Sequence, residues 1–110
     1  EAVVQLMEAV DHGRFGTLPD FGNYPEEVDP YLATDILMSY AKAVSAKCYD
    51  FDDRSGLETK LDFPRLIGIV ADKHGYDGYI GIEYEGDRLG EFDGIRACRR
   101  LLERLREGRA

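Results

Sequence analysis

The sequence is poor in the residues that build metal and redox sites. It has no Trp and only two Cys and two His among 110 residues. Cys48 and Cys98 lie far apart and form no CxxC pair, so we expect neither a structural zinc site nor a disulfide framework. This cysteine usage suits a reducing compartment, and we predict a cytoplasmic protein in which both thiols are small core residues.

Positive charge and long apolar runs are also scarce. The chain has 14 Lys and Arg against 22 Asp and Glu, a formal net charge of −8, and its basic residues are dispersed until the last helix. No basic face is evident for a phosphate backbone, so nucleic acid is disfavoured as a partner. No apolar run approaches the roughly 20 residues that span a bilayer, and no signal-peptide pattern is present, so we expect no membrane partner.

Hydrophobic periodicity predicts one helix followed by three strand–helix units. The first helix covers residues 1–11, and the strands are expected near 15–20, 43–50 and 79–84. Asp29 and Asp62 are predicted N-caps, each followed within two residues by Pro. The apolar stripes expected on the second and last helices are Leu32, Ile36 and Tyr40, and Ile95, Cys98, Leu102 and Leu105. Strands that alternate with helices predict βαβ units and a parallel sheet.

The predicted strands have one apolar and one polar face. Val44, Ala46 and Cys48 alternate with Ser45, Lys47 and Tyr49, and Ile80, Ile82 and Tyr84 alternate with Gly81, Glu83 and Glu85. A doubly wound sheet is apolar on both faces, whereas a one-sided pattern with charged strand ends is typical of a (β/α)8 barrel. We therefore predict a single α/β domain over residues 1–110, equal to the last three βα units of a TIM barrel.

As given, such a barrel is incomplete. The sequence begins at Glu1 inside a predicted helix, and we expect a fragment or processed piece. A whole barrel needs about 250 residues. Open strand edges predict that the chain self-associates or pairs with a missing N-terminal half of the barrel, and that this piece alone is inactive.

Each predicted strand brings a polar side chain to the same end and the same face of the sheet. These are Asp20 from the first strand, Ser45 and Lys47 from the second and Glu83 from the third, with Asn23 on the loop that follows Asp20. Convergent carboxylates are suited to a hard divalent cation such as Mg²⁺ or Mn²⁺, which polarises a carbonyl or hydroxyl oxygen.

A structural role stays open beside each functional one. For Glu83 the alternative is an ion pair with Lys47, and the barrel mouth favours the ligand or base role over it. For Asp20 the alternative is an Asx turn, and the two roles are about equally favoured. Lys47 is more commonly an ion-pair partner, although burial that lowered its pKa would permit proton transfer. Ser45 and Asn23 either contact substrate or fill space and form hydrogen bonds.

Four segments resemble the closing part of the xylose-isomerase-like TIM barrel family of sugar-phosphate isomerases and epimerases. They are "LPDFGNYP", "VSAKCYDFD", "GYDGYIGIEYEGD" and "FDGIRACRRLLERL", and they occur in the family's order across the chain. The resemblance implies a divalent-metal site and proton transfer next to a sugar carbonyl through an enediolate.

The resemblance also implies roles for particular residues. Asp20 matches the family's metal aspartate, and Glu83 matches a glutamate that binds metal and acts as one of two acid/base groups. The other acid/base glutamate belongs to a strand before Glu1. The family's metal histidine falls at or near Ser45, and Asn23 lies where epimerases often have a histidine, so the chain departs from the pattern at two positions.

Three functional hypotheses follow. The first is a metal-dependent sugar or sugar-phosphate isomerase or epimerase, with Lys47 as a positive group beside Glu83. The second is a non-catalytic barrel of the same lineage that binds a small polyol or acts as a scaffold, which the missing histidine favours. The third is the related endonuclease that acts on abasic DNA, and the net charge of −8 argues against it.

Overall fold

Helices alternate with two short parallel strands in the computed structural model, which describes residues 1–109. The elements in chain order are α1 (Ala2–Val10), α2 (Pro30–Met38), β1 (Val44–Cys48), α3 (Phe63–Ile67), β2 (Ile80–Tyr84) and α4 (Glu91–Glu107). A π-helical turn, Gly68–Lys73, continues α3 without a break. The predicted mixed α/β arrangement is therefore confirmed, whereas its place in a complete barrel stays a prediction.

The two strands pair in parallel, with Val44 opposite Ile80 and Lys47 opposite Glu83. The predicted alternation of faces is confirmed in β2, where Ile80 and Ile82 are half-buried and Glu83 is exposed. It is also present in β1, since Val44 is buried and Ser45 is only half-buried. Lys47 is the exception, because this charged residue on the polar face is buried.

The strand predicted near residues 15–20 forms only in part. Thr17 bridges Ala41 and Asp20 bridges Ser45, both in parallel, but no continuous ladder joins the two bridges. Asp20 is three positions after Thr17, whereas Ser45 is four positions after Ala41, so the register changes by one residue between the bridges. Pro19 adds to the interruption because it has no N–H to donate, although its carbonyl accepts a 2.9 Å bond from Ser45 N.

Both predicted helix caps are confirmed. The side chain of Asp29 accepts hydrogen bonds from the N–H groups of Tyr31 and Leu32, at 2.9 and 3.3 Å. The side chain of Asp62 accepts a 3.1 Å bond from Arg65 N. These carboxylates satisfy N–H groups that the first helical turn leaves free, so local sequence fixes where α2 and α3 begin.

The apolar stripe expected on α2 was wrong. Leu32 and Ile36 are exposed, and the helix buries Thr34 and Met38 instead. The side of α2 that meets the π-helical turn is the one that carries Asp35, which contacts Lys73 Nζ at 2.5 Å and His74 Nε2 at 2.6 Å, and the side with Leu32 and Ile36 is left exposed. The periodicity of the sequence does not specify which neighbouring element the helix will face. In α4 the prediction also failed in part, since Ile95 is exposed and Leu101 is buried in its place.

The hydrophobic core lies between the sheet and α3 and α4. Its fully buried side chains include Phe21, Ala46, Cys48, Phe63, Leu66 and Cys98. The rings of Phe21 and Phe63 meet edge to face, with centroids 5.5 Å apart. Cys48 and Cys98 are free thiols, which confirms the prediction that they are small core residues. Within residues 1–109, none of the helices combines the length and apolar character needed to cross a membrane.

Gly94 allows α4 to pack closely against β2, and this close packing predicts that Gly94→Ala is destabilising. A Cβ at Gly94 would lie 2.5 Å from atoms of the Tyr84 ring, whose hydroxyl is held by the main chain of Leu89. Because the ring has no room to move, Gly94→Ala should lower the free energy of unfolding by about 1–3 kcal/mol, measured by urea denaturation. Gly108→Ala is the matched control, since its Cβ would make ordinary contacts at 3.6 Å. Equal stability of the two variants would contradict this packing.

Candidate functional site

The strand pairing places the predicted polar residues on one face of the sheet. Asp20 pairs with Ser45, and Lys47 pairs with Glu83. Side chains of directly paired residues point to the same side, and alternate residues along a strand share a face. Asp20, Ser45, Lys47 and Glu83 therefore share one face of the sheet. Lys47 and Glu83 lie near the carboxyl ends of β1 and β2, whereas Ser45 is the second residue of β1, so the prediction that it lies at the carboxyl end is corrected.

Lys47 is the centre of this surface. Its Nζ lies 3.2 Å from Glu83 Oε1 and 2.8 Å from Glu85 Oε2, and it also donates a hydrogen bond to Asn23 Oδ1. The Lys47 side chain is 7% exposed, whereas those of Glu83 and Glu85 are about half exposed. A buried ammonium is tolerated because all three of its N–H donors find acceptors here.

These contacts oppose the pKa change that the sequence analysis considered for Lys47. The hydrogen bond to Glu85 has the largest effect on the pKa of Lys47 and raises it. Burial lowers this pKa, but the hydrogen bond to Glu83 and the nearby charge of Asp20 also raise it, so the net change is upward. The hydrogen bond with Glu83 is the largest cause of a lowered pKa of Glu85, and the hydrogen bond with Lys47 is the second. Lys47 therefore has the ion-pair role that the sequence analysis gave as its more common one, and the contacts raise its pKa, opposite to the lowering by burial that a proton-transfer role would require.

Asp20 and Asn23 lie on a tight turn that follows the first parallel segment. Asp20 Oδ1 accepts a 3.0 Å hydrogen bond from Gly22 N, and the Asp20 carbonyl accepts a long, 3.4 Å bond from Asn23 N. Asp20 therefore forms the Asx turn that was its structural alternative. The turn places the side-chain amide of Asn23 next to Lys47 on β1, where its oxygen accepts a hydrogen bond from Nζ.

A cleft of about 400 Å³ lies beside the turn that packs on Lys47, although Asp20, Lys47 and Glu83 do not line it. It lies between the loops that follow Asp20 and β1, and Phe21, Gly22, Tyr49 and Lys60 are among its lining residues. The Tyr49 hydroxyl donates a 3.2 Å hydrogen bond to Gly22 O, and a Cβ at Gly22 would overlap Tyr49 and the Lys47 stem. The glycine therefore lets the turn pack directly on the lysine.

The residues present do not fit the divalent metal that the resemblance implies. Within residues 1–109, no three His, Cys, Asp or Glu side chains are grouped so that they would hold a metal ion. Glu83 and Glu85 share the ammonium of Lys47, and an Asp20 oxygen is engaged by Gly22 N. The positive charge that these carboxylates require is supplied by the chain itself.

Glu58 is a further important carboxylate, and the sequence analysis missed it. Its Oε2 accepts hydrogen bonds from the N–H groups of Tyr49 and Asp50, and its Oε1 accepts bonds from those of Lys60 and Leu61, at 2.6 to 3.1 Å. Glu58 is buried and closes the loop between β1 and α3. No periodic signal marks it, because its partners are main-chain groups whose positions depend on the path of the loop.

Arg88 joins the loop after β2 to the loop after β1. Its guanidinium donates to Asp50 Oδ1 and the Phe51 carbonyl, both at 2.8 Å, and to Asp53 Oδ1 at 3.1 Å. The hydrogen bond from Arg88 is the largest cause of a lowered pKa of Asp50, and a bond from Phe51 N adds to it. The loops on either side of the Lys47 surface are thereby held together.

Comparison with known proteins adds no assignment. No protein-family model matches the chain, and no curated protein matches it significantly. The arguments for function therefore depend on the geometry of the site and on the sequence resemblance.

The role of Glu58 predicts a large effect on stability. In Glu58→Gln, the amide nitrogen replaces one acceptor oxygen and faces two main-chain N–H groups, so two buried donors lose their partner. We expect a loss of about 2–4 kcal/mol in the free energy of unfolding, measured by urea denaturation. Glu8→Gln, an exposed change on α1, is the control and should have little effect. A stability like that of the control would show that the loop does not depend on this carboxylate.

The Asp50–Arg88 pair predicts a dependence of stability on pH. The folded-state pKa of Asp50 is lowered, so the pair stabilises the protein at pH values above the unfolded-state pKa of aspartate, which is about 4. This contribution is lost as the pH falls through the lower folded-state pKa. Asp50→Asn should therefore melt below the wild type at pH 7, and the difference should shrink in acid. A difference in melting temperature that is the same at pH 7 and pH 2.5 would contradict the linkage.

Proposed function

We propose that the intact protein is a sugar or sugar-phosphate isomerase or epimerase built on a TIM barrel of the xylose-isomerase-like family. Residues 1–110 would supply the last three βα units and part of the barrel mouth. The observation that carries this proposal is the convergence of Asp20, Lys47 and Glu83 on one face at the carboxyl ends of parallel segments. In (β/α)8 enzymes, that end of the strands holds the active site.

Glu83 is the proposed acid/base group. Its side chain is half exposed, so it is open to a substrate, while its Oε1 lies 3.2 Å from the ammonium of Lys47. A carboxylate in that position accepts the proton from the carbon next to a sugar carbonyl, which leaves an enediolate. Return of a proton to the neighbouring carbon gives the isomer, and return to the other face of the same carbon gives the epimer.

The remaining polar groups are suited to a polyhydroxylated ligand. The free oxygens of Glu83 and Glu85 accept hydrogen bonds from hydroxyl groups, and the Ser45 hydroxyl and the Asn23 amide offer further polar contacts on the same side. The cleft beside Tyr49 gives room for the distal part of such a ligand. Convergent polar groups next to a cleft are the usual features of a small-molecule site.

The missing barrel units must come from another part of the parent chain or from a second copy. Exposed apolar side chains lie beside the free edge of β2 and on the nearby face of α4, and they include Tyr79, Phe92 and Ile95. The second acid/base glutamate that the family uses would come from those units. Self-association of the isolated chain through these surfaces belongs to the same proposal.

A second candidate is a non-catalytic barrel of the same lineage that binds a small polyol or acts as a scaffold. The observation that favours it is the buried Lys47 ion pair, since the carboxylates are already neutralised in part and the family's metal histidine is replaced near Ser45. In this case the site would bind a neutral sugar through the same carboxylates without moving a proton.

The two candidates differ in what they predict for Glu83→Gln. If the protein is an isomerase or epimerase, the intact protein should exchange the proton next to the carbonyl of D-fructose or D-fructose 6-phosphate with deuterium from D₂O, followed by NMR. Glu83→Gln should reduce this exchange by about 10²-fold or more, because the amide cannot accept the proton. Asp87→Asn, a change in the adjacent exposed loop, is the matched control.

Full exchange by Glu83→Gln would refute the assigned role. If the wild type binds either sugar without exchange, and Glu83→Gln weakens that binding, the non-catalytic candidate is favoured. Circular dichroism of each variant establishes that the fold is retained.

A further inference from the structure

The strongest unassigned feature is the buried ammonium at the centre of the acidic face. We propose that Lys47 is the built-in cation of this site, and that its ammonium occupies the position between Glu83 and Glu85 that a divalent metal would need. The inference goes beyond the proposed reaction, because it concerns which cation the carboxylates bind and holds for a catalytic or a non-catalytic barrel.

The first argument is the saturation of the ammonium. A lysine has three N–H donors, and the acceptors within reach of Nζ are Asn23 Oδ1, Glu83 Oε1 and Glu85 Oε2. These are oxygen ligands of the type that Mg²⁺ and Mn²⁺ prefer, arranged around one positive centre. The ammonium thus has the coordination environment of a small cation, made from residues that would otherwise bind one.

The second argument is that the ammonium cannot withdraw. Lys47 belongs to β1, which lies between β2 and the segment containing Asp20. Gly22 packs closely on its aliphatic stem, and its side chain is 7% exposed. A metal approaching Glu83 and Glu85 would therefore meet a fixed positive charge at bonding distance from both carboxylates, and like charges repel strongly in such an environment.

The test is a titration with Mn²⁺, followed by electron paramagnetic resonance of the free ion, on the full chain and three variants. The wild type should show no binding that depends on Glu83. Lys47→Met frees the carboxylates and removes the repelling charge, so it should bind Mn²⁺ about tenfold or more tightly than the wild type. Lys47→Arg keeps the charge and should not gain binding, and Lys47→Met combined with Glu83→Gln should lose the gain.

Two results would overturn the inference. One is saturable Mn²⁺ binding by the wild type that Glu83→Gln abolishes, and the other is a folded Lys47→Met protein with no gain in affinity. If Lys47→Met does not fold, Lys47→Gln provides the same test. Comparison of Mn²⁺ binding by the wild type and by Glu83→Gln needs neither lysine variant and is sufficient to overturn the inference. Since the readout is metal binding, a failure here is distinct from a failure of the proposed reaction, which is measured by proton exchange.

Discussion

A single buried ammonium organises the acidic end of the sheet. Lys47 lies on the central segment of three parallel segments and binds side chains from both neighbours, Asn23 on one side and Glu83 and Glu85 on the other. A charge can remain in such a place only if every donor is satisfied. The turn after Asp20 meets part of this requirement through Asn23, and Lys47 in return contributes to the lowered pKa of Glu85.

The surroundings of Lys47 are arranged so that the loops above the sheet stay in place. Glu58 closes the loop after β1 with four main-chain hydrogen bonds, and Arg88 joins that loop to the one after β2. Side-chain carboxylates and a guanidinium thus hold these loops by hydrogen bonds, as main-chain hydrogen bonds hold helices and strands. The site is a rigid polar surface beside a cleft, which suits a ligand with many hydroxyl groups.

Much of this arrangement was predictable from local sequence. The caps at Asp29 and Asp62 and the alternating faces of β1 and β2 follow from short-range patterns, and they agree with the structure. The common face of Asp20 and Glu83 also followed, because parallel strands bring equivalent ends together. What failed depended on tertiary contacts. α2 buries Thr34 and Met38 in place of its predicted apolar stripe, and the contacts of Lys47 raise its pKa, so the alternative in which burial lowers it is not realised.

The account depends most on the coupling between Lys47 and the carboxylates. A double-mutant cycle with Lys47→Met, Glu85→Gln and the combined variant, measured by urea unfolding, tests it directly. The account predicts strong non-additivity, with the double variant less destabilised than the sum of the single changes, because Lys47→Met leaves Glu85 without its cation and Glu85→Gln removes one of the two carboxylates that the buried ammonium contacts. Additive effects would mean that the ammonium and the carboxylate do not depend on one another, which would contradict the central claim.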